Sequence, residues 1–307
     1  MRTSAGRARV TTLAVGVLLA AACGSSPQTP SPGPTTTPAA TGAAPSSSPS
    51  GTPTAAYSAT TDTTSATSTS TTTATATTSP QPTTPSNTPA ATAPIPASLM
   101  GHVVSRIPTS RRVVALTFDA GANGDGVDSI LSTLAKEKVA ASFFLTGNFV
   151  DSFPTLAIRM SAAGRLGNHT VSHPHLPTLA DAQVLTQITS TRTTFLRVTG
   201  EDPRPLFRFP YGDSGPRDLR LVKDLGYVAV GWTVDTLGWQ GTSGGRSVDS
   251  VAQRVLAAAT PGEIVLMHVG SHPTDHSTLD ANALPRVISE LRAAGYSFVT
   301  LDALGAG

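Results

Sequence analysis

Cysteine is almost missing: the 307 residues contain one, Cys23. A lone thiol near the N-terminus makes no internal disulfide and gives a downstream domain no catalytic thiol. Charge is also scarce, at 13% of residues, and between Cys23 and Arg106 the only formally charged side chain is Asp62. That stretch consists almost entirely of Ser, Thr, Pro and Ala. It has too little apolar surface to offset its ordering entropy, so residues 23–105 are expected to form a disordered tether. Its prolines favour extended polyproline II at roughly 3.1 Å per residue, which sets a reach of about 200 Å at most. Long apolar runs are lacking too. Leu13–Leu19 is too short to span a bilayer.

That short run has a context. Arg2, Arg7 and Arg9 precede it and Ala20-Ala21-Ala22-Cys23 follows it, which is the pattern of an export leader over residues 1–22. The leader resembles a bacterial lipoprotein signal. The resemblance implies lipidation at Cys23, and with it a membrane partner and a place on the outer face of the cell membrane. A plain secretory signal with release from the cell is the alternative. Removing the leader's three arginines from 21 basic residues leaves 18 against 19 acidic ones, a net charge of −1. With no dense Lys/Arg patch either, nucleic acid is excluded as a partner. A monomer is expected.

The remainder, residues 106–307, suffices for one sizeable core. Apolar, β-branched runs alternate with segments of helical spacing. Strands are expected over 112–118, 141–146, 166–169, 206–209, 227–232, 263–269 and 296–301. Helices are expected over 127–139, 154–163, 178–198, 217–225, 248–258 and 281–294, with Thr178 and Asp181 in capping-box positions. Seven strands in βα alternation, apolar on both faces, indicate a parallel α/β fold, either a barrel or a doubly wound sheet. In such folds the active groups sit at the C-terminal ends of strands. Asp119, His169, Arg208, Asp235 and His268 each fall at or just past the end of a different strand.

Two imidazoles four residues apart, His169 and His173, have a metal-ligand spacing and would share one face of a helical turn. Around them stand Thr117-Phe-Asp119, Arg208-Phe-Pro-Tyr211-Gly, Trp232-Thr-Val-Asp235-Thr-Leu-Gly-Trp239 and Leu266-Met-His268. In this order the set resembles the five motifs of the polysaccharide deacetylases, the NodB-homology or carbohydrate esterase family 4 domain. The resemblance runs from about Val113 to Leu301.

It implies a distorted (β/α)7 barrel that removes N-acetyl groups from a cell-envelope polysaccharide, with peptidoglycan amino sugars as the expected substrate. A divalent metal is implied, zinc before cobalt or nickel, with His169 and His173 as ligands. Asp119 would be the general base, His268 the general acid, and Arg208 the group that orients Asp119. The backbone N–H of Tyr211 would bind the oxyanion, while Trp239 and Leu266 would line the slot for the acetyl methyl.

Two positions depart from the family. It usually has a second, metal-binding aspartate where this chain has Ala120. Asp125, Asn123 or Asp119 itself is the candidate replacement. The other departure is Gly238, where an aspartate often pairs with the motif arginine; Asp235 is then the expected partner of Arg208. De-O-acetylation of a xylan-type polymer and carbohydrate binding without catalysis are the alternative functions.

Overall fold

Parallel pairing organises the whole domain. The structure, a computed structural model, describes residues 94–306; the leader, Cys23 and most of the tether lie outside the described residues. The described residues form nine strands: β1 (Val103–Val104), β2 (Val113–Ala120), β3 (Ala141–Leu145), β4 (Gly164–Asn168), β5 (Leu206–Phe207), β6 (Val228–Val230), β7 (Val234–Asp235), β8 (Glu263–His268) and β9 (Ser297–Phe298). Their order in the sheet is β1-β6-β5-β4-β3-β2-β8-β7, with β9 beside β2. An antiparallel bridge from Arg106 to Glu263 joins the β1–β2 connection to β8. Residues 231–233 carry the chain from β6 to β7, and Thr233 Oγ1 donates to the Ser105 carbonyl. The sheet therefore curls into the expected distorted barrel.

The helices are α1 (Val127–Glu137), α2 (Gly147–Ser152), α3 (Pro154–Ala163), α4 (Asp181–Val198), α5 (Pro216–Asp224), α6 (Val248–Ala258) and α7 (Leu279–Ala293). Local chemistry sets several ends. Pro154 and Pro216 open α3 and α5, where a missing N–H costs nothing. Ser247 caps α6 through the Ser250 N–H. Thr146 does the same for α2 through Phe149, a short helix that the periodicity does not reveal. The expected capping box at Thr178 is not formed. Thr178 Oγ1 donates to the His175 carbonyl, and α4 begins at Asp181 with the Gln183 side chain accepting from the Ala180 N–H.

The two added strands, β1 and β7, are two residues each, too short for a two-residue period to register. β1 pairs with β6, and Ile95, Leu99 and Met100 pack on the core. The folded unit therefore begins upstream of residue 106.

Period-two alternation sorts the strands into two faces. From β2, Val114, Leu116, Phe118 and Ala120 join the apolar layer under the helices, with Phe143 of β3 and Val265 and Met267 of β8. The intervening Ala115, Phe144 and Ile264 pack in a separate cluster with Leu206 and Val228. Asp119 and His268 share the parity of Ala115 and Ile264, so they stand over that second face at the strands' C-terminal ends.

Glu263, at the start of β8, is fully buried, and neither carboxylate oxygen has a hydrogen-bond partner among the described residues. Burial pushes its pKa up to about 7. A raised folded-state pKa stabilises at acid pH and loses that contribution as pH climbs through 7. Between pH 5 and pH 8 the domain should lose on the order of 2–3 kcal/mol from this group. Urea unfolding at both pH values checks this: Glu263→Gln should flatten the difference, and an unchanged difference in the variant would refute the assignment.

Candidate active site

The site is built around a buried ion pair. Arg208, just past β5, is fully buried. Its Nη1 donates to Asp119 Oδ1 at 2.7 Å, Nη2 to the Gly231 carbonyl at 3.1 Å and Nε to the Val230 carbonyl at 3.3 Å. Its guanidinium carbon lies 4.1 Å from the centre of the Phe144 ring. Burial pushes the Asp119 pKa up. Arg208, ahead of His169 and His268, outweighs that and holds the carboxyl below the usual carboxylate value. Asp119 is thus anionic at neutral pH.

His169 follows β4. Its Nδ1 sits 2.9 Å from the Arg208 carbonyl. A carbonyl only accepts, so Nδ1 carries the proton and Nε2 keeps its lone pair. Burial lowers the His169 pKa despite Asp119, and burial followed by His169 lowers that of His173 to about 4. Both rings are therefore neutral at physiological pH. They lie 4.8 Å apart, centre to centre. The pair is not on a helical turn as its spacing suggested. Thr170 and His173 adopt left-handed φ values of 68° and 60°, and a tight turn brings the rings together. His173 then meets the Tyr211 ring edge-on at 4.5 Å.

His268 ends β8. Parallel register places its Cα directly across from that of Asp119. Burial pushes its pKa down, but Asp280, ahead of Asp119 and Asp235, outweighs this and raises it above the ordinary histidine value. Asp119 and His268 thus sit side by side on adjacent strands, one favouring the anion and the other the cation.

A cavity of about 590 Å³ opens over these groups. Asp119, His169, His173, Tyr211, Asp235, Trp239, Leu266 and His268, all anticipated from the sequence, line it. Trp239 and Tyr211 are large exposed aromatics, at 48% and 59%. Tyr211 stacks on His175 at 3.9 Å and holds a left-handed φ of 60°, a strained backbone of the kind found at functional sites.

Three expectations are corrected. Asp235 is not the hydrogen-bonded partner of Arg208: its oxygens accept from the Leu237 N–H and the Trp239 indole N–H, so it orients Trp239. Asn123 and Asp125 do not line the cavity. Asn123 exchanges hydrogen bonds with the Ser271 backbone, and Asp125 accepts from Ser271 Oγ, so both stitch the loop after β2 to the loop after β8. The sequence also conceals Asp280, the second residue of α7, whose carboxylate holds the His268 backbone N–H. Its one signal is an acidic residue at a helix start close after a motif histidine.

A protein-held divalent cation of this kind takes three or more convergent donors. Among the described residues no three or more His, Cys, Asp or Glu side chains converge closely enough to hold a metal ion, and the Ala120 methyl supplies no donor. Yet the unprotonated Nε2 of His169 faces Asp119 Oδ2 at 3.4 Å. Two electron-pair donors at that distance with no proton between them fit a shared cation, with the neutral His173 beside them.

The polysaccharide deacetylase family profile matches residues 106–230. The peptidoglycan-N-acetylglucosamine deacetylase of Bacillus cereus is 34% identical over 198 residues, covering 64% of this chain and 70% of that protein. Its counterpart PgdA from Listeria monocytogenes is 34% identical over 211 residues, or 68% of this chain but only 42% of its own length. A solved Bacillus anthracis pseudoenzyme of carbohydrate esterase family 4 superposes with a TM-score of 0.61 at 27% identity, covering 67% of this chain and 69% of that one.

Arg208→Met should cost about 3–5 kcal/mol, because it leaves the Asp119 charge buried without its partner. Thermal and urea melts measure the loss. A variant within about 1 kcal/mol of the parent would show that Asp119 does not depend on the pair.

Proposed function

The chain belongs to the polysaccharide deacetylase family, and from that membership we propose that it removes N-acetyl groups from amino sugars of a cell-envelope polysaccharide, peptidoglycan first. The observation that carries the reading is the register of β2 and β8, which sets Asp119 beside His268 over one cavity.

In this reading Asp119 takes a proton from a water whose oxygen attacks the acetamide carbonyl carbon. The carbonyl oxygen becomes an oxyanion against the backbone N–H of Tyr211, where one donor is commonly worth about 3 kcal/mol. His268 then donates a proton to the amide nitrogen as the C–N bond breaks, leaving acetate and a free amino sugar. Leu266 and Trp239 take the acetyl methyl. His169 and His173 would hold a divalent metal, zinc by preference, with Asp119 Oδ2, 3.4 Å from His169 Nε2, as the candidate additional oxygen. When bound, that metal supplies Lewis acidity to the carbonyl and to water. The leader pattern supports export, with the lone Cys23 as a lipid anchor on the outer face of the cell membrane or, without lipidation, release from the cell.

A second reading, carbohydrate binding without turnover, is favoured by one observation: Ala120 stands where the family usually has a ligand. Acetate release by residues 94–307 from peptidoglycan, chitooligosaccharides and acetylated xylan, with and without chelator and metal add-back, separates the readings. Release from the first two that falls on chelation is expected. Release from xylan alone would make it an O-acetyl esterase, and binding without release a lectin-like domain. Asp119→Asn and His268→Ala should each lower turnover at least 100-fold while the fold persists.

The pH profile of kcat/KM should be a bell. Its acid limb should fall below about pH 4, because Asp119 ionises early. Its alkaline limb should lie above about pH 6.5, because His268 holds its proton longer than free imidazole. An alkaline limb below pH 6 would rule out His268 as the acid.

A further inference from the structure

Asp280 is 3% exposed at the start of α7. Its Oδ1 accepts from the buried Thr236 hydroxyl at 2.7 Å. Its Oδ2 accepts from the His268 backbone N–H at 2.9 Å and lies 3.6 Å from His268 Nδ1. That nitrogen is itself buried and has no hydrogen-bond partner among the described residues. The nearest anionic group it faces is therefore Asp280. Space for the carboxylate comes from Gly238. A Cβ there would stand 2.4 Å from Asp280 Oδ1 and 2.6 Å from its Cγ. A side chain at position 238 and the carboxylate of Asp280 exclude one another, because they compete for the same volume beside His268.

We infer that Asp280 is the positioning residue of His268, and that positions 238 and 280 are alternative places from which one carboxylate reaches this ring. Asp280 clamps the backbone N–H of His268 and turns Nδ1 inward. Nε2 is left toward the cavity, where a departing nitrogen would collect its proton. The carboxylate also stabilises the imidazolium that must exist before that transfer. Gly238 is required because any larger residue would displace the clamp. The inference rests on the reading of His268 as proton donor, and its test is chosen to fail separately from that reading.

Asp280→Asn keeps the shape and removes the charge, but its one acceptor oxygen can serve either the Thr236 hydroxyl or the His268 N–H and not both. It should lower kcat about 10- to 100-fold and leave KM within about threefold, with a melting curve that is lowered but still a single cooperative transition. Gly238→Asp alone should lose turnover through the collision. In the Asp280→Gly background the same substitution should regain most of the kcat that Asp280→Gly loses. ¹⁵N NMR of the His268 ring gives a readout that needs no turnover: Nδ1 should be protonated in the parent and shift toward the Nε2-protonated tautomer in Asp280→Asn. Parental kcat in Asp280→Asn, or a double variant no better than Asp280→Gly alone, would overturn the inference. Should the parent release no acetate, the proton-donor reading fails, and the NMR comparison alone decides whether Asp280 sets the ring.

Discussion

A charge that cannot leave the protein interior organises this domain. Arg208 is fully buried, and its guanidinium is satisfied by one carboxylate, two carbonyls and an aromatic face. Moving such a group out of water is costly, so each partner has to be in place before the pair becomes tolerable. The partners come from distant parts of the chain. Asp119 ends β2, Val230 and Gly231 leave β6, and Phe144 lies in β3. Satisfying one guanidinium thus ties the barrel together at its C-terminal end. The Arg208 carbonyl extends the same constraint, because it fixes the protonated nitrogen of His169. A single buried cation thereby sets the ionisation of the candidate base and the tautomer of a candidate ligand.

Parallel register supplies the other half of the site. Asp119 and His268 are paired across β2 and β8, so their separation is fixed by backbone hydrogen bonding. Their environments drive them in opposite directions. One sits against a guanidinium and the other against the carboxylate of Asp280. Two groups of opposite protonation preference, held on neighbouring strands over one cavity, are what acid and base work at a carbonyl requires.

The metal side of the site is leaner. Ala120 gives no donor, and the two loop residues able to replace one are occupied in bracing Ser271. That brace is a structural duty: it joins the loops that follow β2 and β8. Asn168, which with His169 and Thr170 forms a glycosylation pattern, is likewise committed. It is buried and donates to the Ile188 carbonyl and the Tyr227 hydroxyl.

The sequence alone determined the parallel α/β class, the long β2 and β8 strands, and the strand-end positions of Asp119, His169, Arg208, Asp235 and His268. Each follows from local rules: apolar runs buried on both faces, helical spacing between them, and polar residues where strands stop. The two-residue strands β1 and β7 escaped because a period of two needs a longer run to show itself. The tertiary structure alone decided which polar groups meet. Asp235 and Asp280 are equally acidic in the sequence, yet packing turns the first toward Trp239 and the second toward His268. The His169–His173 pair likewise owes its closeness to two left-handed residues and not to helical spacing. Partner choice depends on through-space distances between segments far apart in the chain, and no one-dimensional pattern encodes those distances.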